Sequence, residues 1–362
     1  MERRRPCPHG EGRGTGGARV LPRAAGGLLS VAGGLASAHG SLYDGFPFRT
    51  NKTRCGLKTL RQLCLIAVCF AVPACSTGPD VSPPTRFPDA PRIVAIGDLH
   101  GDFQATRRAL KLAGAIDDED HWIGGKLVLV QTGDQMDRGD GEQAILDLFV
   151  RLAEEAARAG GAVHVLNGNH ELLNASLDLR YATPGGFEDF QDAVTVGEPD
   201  SLLLAFDAPQ RARVTAFRPG GPYARVLARR NTVVIIGPNV FVHGGIVPKY
   251  VDYGIEKLNA EIRAWLAGDG PYPRAIEDRR GPVWSRLYSE NVTDAACDTL
   301  NAVLERLSAK RMIVSHTIQE NGITSYCDGK VWCIDVGMSA HYGGTPQVLE
   351  IAGDTVRVRR EK

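Results

Sequence analysis

The chain has 362 residues, with 42 Lys plus Arg against 42 Asp plus Glu, so no net field draws it to nucleic acid and no nucleic-acid partner is expected. At 43% hydrophobic it carries enough apolar mass for a sizeable core, in one large domain or two small ones. No repeat recurs at a solenoid or propeller period, which excludes those architectures.

Residues 1–50 are rich in Gly, Arg and Ala, with few bulky apolar side chains, and are expected to form a disordered extension or to lie upstream of the true start. A basic run, residues 51–61, then leads into an apolar run ending at Val72-Pro73-Ala74-Cys75. That order is the layout of a secretory signal, and the run falls short of the about 20 residues of a comfortable membrane span. Its end resembles a bacterial lipobox, which implies a signal peptide over 51–75 and a lipid on Cys75 as the sole membrane attachment. The expectation is therefore a periplasmic lipoprotein of a bacterium, with a cytoplasmic location as the alternative. Residues 76–91 read as a Pro/Ser linker. Cleavage at Cys75 would leave Cys75, Cys297, Cys327 and Cys333. A turn centred on Asp328-Gly329 offsets Cys327 from Cys333, so no bridge is expected between those two.

The folded domain is expected over 92–360. Residues 91–96 form an apolar strand running into Gly97-Asp98-Leu99-His100-Gly101, and a helix capped by Asp102 should continue to Leu112. Residues 126–132 repeat the device, ending in Gly133-Asp134-Gln135-Met136-Asp137-Arg138-Gly139, with an amphipathic helix over 142–158 behind it. Residues 161–166 do so again before Asn167-Gly168-Asn169-His170-Glu171, where another helix begins. The intervals from Asp98 to Asp134 and from Asp134 to Asn169 match a strand-helix-strand unit of roughly 30 residues or a little more. Parallel neighbouring strands would bring all three ends into one crevice. Residues 180–230 are polar and broken by Gly and Pro, suggesting a substrate-facing cap or insertion near 174–230. Beyond it, strands at 231–236 and 240–242 lead to His243-Gly244-Gly245; helices near 255–266 and 294–307 follow. A strand at 311–315 delivers His316, and strands at 330–336, 347–351 and 355–358 close the chain. Early helical crossovers and late hairpins predict an α/β fold of two mixed sheets sandwiched between helices.

Asp98, His100, Asp134, Asn169, His243 and His316 all sit just beyond predicted strands. Mixed carboxylate, imidazole and amide donors suit Mn, Fe or Zn better than Ca. Their number exceeds the need of one tetrahedral ion, so two divalent ions sharing a carboxylate are inferred. Taken singly, each residue is ordinary: an Asp after a strand caps a helix, an Asn-Gly-Asn segment is a left-handed turn, and a lone His is a core residue. Five such segments in order reverse that reading.

The set Gly-Asp-x-His-Gly, Gly-Asp-x-x-Asp-Arg-Gly, Gly-Asn-His-Glu, His-Gly-Gly and a late His resembles the calcineurin-like metallophosphoesterase superfamily, in its phosphoprotein phosphatase branch. Gly221-Pro222-Tyr223-Ala224-Arg225, Gly281-Pro282-Val283-Trp284-Ser285-Arg286 and the segment from Asp335 to Gly344 look like the bacterial Shewanella-like protein phosphatases. The resemblance implies a four-layer α/β/β/α domain and a dinuclear phosphomonoesterase using a metal-bridging hydroxide, Mn being the preferred ion and Fe or Zn alternatives. Asp98 and His100 would hold one ion, Asp134 would bridge, and Asn169, His243 and His316 would hold the other. His170, oriented by Asp137, would be the general acid; Arg138 would grip phosphate together with Asn169, and Arg225 and Arg286 are candidate second clamps. Ser315 stands where the family often has Gly before the last His, and Trp284-Ser285-Arg286 replaces the Trp-Ser-Asp-Pro of serine/threonine phosphatases. The implied substrate is a phosphorylated protein, including phosphotyrosine, or a small phosphate ester. Two rivals are a dinucleoside polyphosphate or nucleotide hydrolase, with Trp284, Tyr223 or Tyr342 stacking on a base, and a non-catalytic phosphate-binding scaffold.

Overall fold

The computed structural model describes residues 83–361, so the expected extension, the signal segment with Cys75, and the first part of the linker lie outside the described residues. Among these residues eleven strands form two sheets. They are β1 (Arg86–Phe87), β2 (Ile93–Ile96), β3 (Val128–Gln131), β4 (Ala162–Val165), β5 (Val233–Ile236) and β6 (Asn239–Val242). The later strands are β7 (Arg311–Val314), β8 (Thr324–Tyr326), β9 (Val331–Cys333), β10 (Gln347–Ala352) and β11 (Thr355–Arg360). One sheet runs β11-β10-β2-β3-β4 and the other β1-β5-β6-β7-β9-β8. β2, β3 and β4 are parallel, as are β6, β7 and β9, while β10, β11 and β8 join antiparallel, so both sheets mix the two pairings.

The crossovers are α1 (Phe103–Leu112) and α2 (Glu142–Arg158). Asp102 caps α1 by accepting from Ala105 N at 2.8 Å, as expected from the sequence. The layer order follows from alternation along the strands. Val234, Ile236, Phe241 and Ile313 belong to the core shared with β2, β3, α1 and α2. Their neighbours Val233, Ile235, Val240, Val242, Met312 and Val314 belong to the opposite core. The further helices are α3 (Asn169–Ala175), α4 (Pro184–Glu188), α5 (Arg211–Phe217), α6 (Pro222–Leu227), α7 (Pro248–Tyr253), α8 (Ile255–Ala267) and α9 (Asp294–Leu307). Faces of α8 and α9 complete that second core, giving the four layers.

Two expectations change. The linker does not run to residue 91, because β1 pairs in parallel with β5 and Ile235 N donates to Thr85 O at 2.9 Å. Without β1, the fully buried β5 would be an open apolar edge. The segment 174–230 is a cap only in its first part: Phe190, Phe217, Tyr223 and Leu227 enter the core beneath β5, where short helices hide an apolar face that Gly and Pro interrupt in the sequence. The expectation of no bridge between Cys327 and Cys333 holds: Cys327, in the β8–β9 turn, is bonded to Cys297 of α9 with Cα atoms 5.2 Å apart, while Cys333 is free and buried.

Candidate active site

The C-terminal ends of β2, β3 and β4 deliver Asp98, Asp134 and Asn169, and those of β6 and β7 deliver His243 and His316, so the two sheet edges meet over one crevice. The join is polar. His243 Nδ1 donates to Thr132 O at 3.0 Å, and Thr132 Oγ1 bonds Ser315 Oγ at 3.0 Å. Ser315 is thus small enough for this turn and adds a tie between the sheets. His100, Asp134, Asp137, Arg138 and His316 all hold positive φ, between 46° and 68°. Such backbone costs about 1–3 kcal/mol per residue and persists where the surroundings over-determine it.

Asp134 is the centre. Its Oδ1 accepts from His170 N, the first turn of α3, at 2.9 Å. Its Oδ2 lies 3.2 Å from His243 Nε2 and 3.9 Å from both His100 Nε2 and His170 Nε2. His243 Nε2 is also 2.8 Å from Asn169 Oδ1 and 3.2 Å from His316 Nδ1. His100 Nδ1 donates to Met136 O at 3.1 Å, which turns Nε2 to the crevice, 3.9 Å from Asp98 Oδ2. Burial lowers His100 to about 3 against the pull of Asp134, and burial with the nearby His243 lowers His316 to about 2, so both are neutral imidazoles with lone pairs to offer. Burial would lower His243 as well, but Asp134 and Asp98 outweigh it and raise that ring to about 10. Burial and the adjacent Asp335 push Asp98 well above the usual carboxyl range, and its buried Oδ1 has no hydrogen-bond partner. Two donor groups emerge, His100 with Asp134 and His170, and Asp134 with His243 and His316, each with its atoms within 4.8 Å. Lone pairs crowded together, an orphaned carboxylate oxygen and one shared carboxylate fit a pair of divalent cations.

Around this centre lies a set of supports. Glu171 accepts from Asp134 N at 2.8 Å, Gln135 N at 2.8 Å and Gly168 N at 2.7 Å, pinning the Asp134 turn to the start of α3. His170 Nδ1 bonds Asp137 Oδ2 at 2.5 Å. Asp137 Oδ1 in turn accepts from Arg213 Nη2 at 3.0 Å and Asn174 Nδ2 at 3.1 Å. Asn174, four residues after His170 on the same helix, was legible as its neighbour from helical spacing. Nothing in the sequence singles out Arg213, which comes from α5 inside the stretch read as cap.

Arg138 Nη1 bonds His100 Nε2 at 2.9 Å, and its guanidinium carbon lies 5.2 Å from the ring centres of both Tyr181 and Tyr342. Arg286 Nη1 donates to His316 O at 2.8 Å and Thr317 Oγ1 at 2.9 Å. Both arginines line a cavity of about 320 Å³ over Asp98, Asp134 and His316, with Trp284 and Tyr342 on its walls. A larger cleft of about 710 Å³ adjoins it through Asn169, Tyr181 and Arg286 and extends to Tyr272 and Arg279. Two expectations fail here. Arg225 is exposed on α6, donates to Gly220 O at 2.9 Å and lines neither cavity, because the buried face of α6 is Tyr223, Ala224 and Leu227. Tyr223 cannot stack on a ligand either, since its ring lies against Phe190 and Phe217 and its hydroxyl bonds Asp147.

Comparison with known proteins agrees with this geometry. Residues 91–319 match the calcineurin-like phosphoesterase family. The chain is 41% identical over 303 residues to Shewanella-like protein phosphatase 2 of Arabidopsis thaliana, covering 75% of this chain and 78% of the relative. It is 30% identical over 283 residues to Shewanella-like protein phosphatase 1 of Plasmodium berghei, covering 74% of each. The crystal structure of a cold-active protein-tyrosine phosphatase from a psychrophilic Shewanella superposes with a TM-score of 0.62 at 25% identity, covering 77% of this chain and 83% of that one. The chain belongs to the calcineurin-like phosphoesterase family, among its Shewanella-like protein phosphatases, and is a metal-dependent phosphatase.

Proposed function

We propose that the chain hydrolyses phosphate monoesters on proteins, with phosphotyrosine favoured, using two Mn ions held by Asp98 and His100 on one side, Asn169, His243 and His316 on the other, and Asp134 between. One observation carries the reading: Asp134 Oδ2 stands at the focus of His100, His170 and His243, with Arg138 beside it. Bound ions would acidify a water and neutralise charge growing on the phosphoryl group. The side chains supply the rest. Arg138, fixed between Tyr181 and Tyr342, presents a fork to phosphate oxygens, with Arg286 across the cavity. His170 keeps Nδ1–H on Asp137 and holds the Nε2 proton for the leaving oxygen. A scaffold that only binds phosphate has no use for that proton.

The adjoining cleft, with Tyr181, Tyr272 and Trp284, suits an aryl leaving group on a polypeptide, and the Shewanella protein-tyrosine phosphatase supports the same preference. Trp284 and Tyr342 at the cavity favour nucleotide hydrolysis as the second reading. Export with a lipid on Cys75 is part of the proposal, supported by the Cys297–Cys327 bridge, which suits an oxidising compartment.

Phosphate release from p-nitrophenyl phosphate by the full chain with Mn, beside His170→Asn and Asp134→Asn, is the first test; each variant should lose about 10²-fold or more. Phosphotyrosine and phosphoserine peptides and a dinucleoside polyphosphate then rank the substrates. An inert parent that still binds Mn and phosphate would make the chain a binding protein. Fractionation of cells carrying Cys75→Ala tests the anchor, which is refuted if that variant stays with the membrane.

A further inference from the structure

We propose that Arg213 is the positioning residue for leaving-group protonation: it holds Asp137 in the one orientation that aims His170 at the substrate. The inference rests on the phosphatase reading. The guanidinium is fully buried, flanked by Phe190 and Phe217 with its carbon 5.4 and 5.5 Å from their ring centres. Each of its three nitrogens has a partner. Nε donates to Asn174 Oδ1 at 2.7 Å, Nη1 to Gly186 O at 2.8 Å, and Nη2 to Asp137 Oδ1 at 3.0 Å, while Nη2 also lies 2.6 Å from Glu142 Oε2.

The consequence lies in which oxygen Arg213 takes. Asn174 Nδ2 donates to both carboxylate oxygens of Asp137 at 3.1 Å, Arg213 engages Oδ1 alone, and Glu142 Oε1 accepts from Asp137 N at 3.0 Å, which fixes the backbone. Oδ2 is thereby turned to His170 Nδ1 at 2.5 Å, so the imidazole proton available to substrate is the one on Nε2, facing the Asp134 side. As a water oxygen bonds to phosphorus and the ester P–O bond breaks, the electron pair of the broken bond stays on the leaving oxygen and the Nε2 proton passes to it, giving alcohol or phenol and phosphate. His170 keeps Nδ1–H on Asp137 throughout. A buried cation with this fork costs several kcal/mol of desolvation, and a purely apolar filling would serve packing as well or better. Holding a carboxylate in register is what the guanidinium adds.

A general acid matters most for a poor leaving group, which separates positioning from packing. The full chain with Mn is assayed on phenyl phosphate and on 2,4-dinitrophenyl phosphate, as parent, Arg213→Lys and Asn174→Ser, the last leaving the buried charge pair intact. Mn binding by calorimetry reports the metal centre independently. The expected result is a kcat loss of about 30-fold or more on phenyl phosphate, about tenfold smaller on the dinitrophenyl ester, with Mn affinity held. In a His170→Asn background the same substitutions should add no further loss on phenyl phosphate. Equal losses on the two esters, no loss on either, or an undiminished loss in the His170→Asn background would each overturn the assignment. A parent inert on both esters overturns the phosphatase reading instead, and the assignment with it.

Discussion

Gly168→Ala tests the geometry at its tightest point. The residue has φ −89° and ψ −168°, which alanine adopts freely, so backbone strain does not enter. A methyl added there would stand 2.3 Å from Asp134 Oδ1 and 2.6 Å from Asp134 N. Ordinary contact is about 3.5 Å, so the carboxylate must retreat by roughly 1 Å. That retreat breaks the 2.9 Å bond from His170 N and moves the one oxygen that faces three imidazoles. Crowding costs about 1–3 kcal/mol and the lost charge-assisted bond about 1.5–3, against about 0.4–1 regained from a stiffer unfolded chain. The net of roughly 2–5 kcal/mol lowers Tm by about 3–9 °C in a domain of this size. A 1 Å misplacement costs about 10² in rate, so kcat/KM on p-nitrophenyl phosphate with Mn should fall about 100-fold in a chain that remains folded at the assay temperature. Gly197→Ala, where nothing lies within 4 Å, is the matched control: kcat/KM should not change and Tm should not fall, the stiffer unfolded chain adding only about 0.4–1 kcal/mol. Activity of Gly168→Ala within about threefold of the parent, in a folded chain, would refute Asp134 as the centre.

Glu171→Gln turns an amide donor toward backbone N–H groups that now meet carboxylate oxygens at 2.7 to 2.8 Å; the loss is about 2–5 kcal/mol, read as the shift in urea midpoint. Arg138→Lys surrenders the fork and both tyrosine contacts, so inhibition by inorganic phosphate should weaken about tenfold or more. Arg225→Ala should leave both kcat/KM and phosphate inhibition unchanged, and a loss there would return Arg225 to the site. Cys297→Ser opens a loop closed across a separation of 30 residues, an expected loss of about 3–4 kcal/mol by chain entropy, measured as a Tm drop absent when the parent is assayed in reductant.

The sequence by itself determined which donor residues gather at the crevice and the scaffold that gathers them. Each lies at the end of an apolar run of strand length, and the spacing between runs leaves room for one helix, so parallel pairing must collect Asp98, Asp134 and Asn169 at one edge. The helix over Glu142–Arg158 and the one over Asp294–Leu307 were equally legible, because their apolar positions recur at helical period and tertiary packing leaves that period intact. Only the tertiary structure decided what surrounds those residues. Arg225 and Arg213 are both arginines in a polar stretch broken by Gly and Pro, and no local signal sorts them. The turn after α5 rotates Arg225 into solvent, while Arg213 reaches Asp137 across 76 residues. Tyr223 fell into the core and Cys297 met Cys327 for the same reason. Periodicity fixes which face of an element is buried, but which partner that face meets depends on contacts distant in the chain.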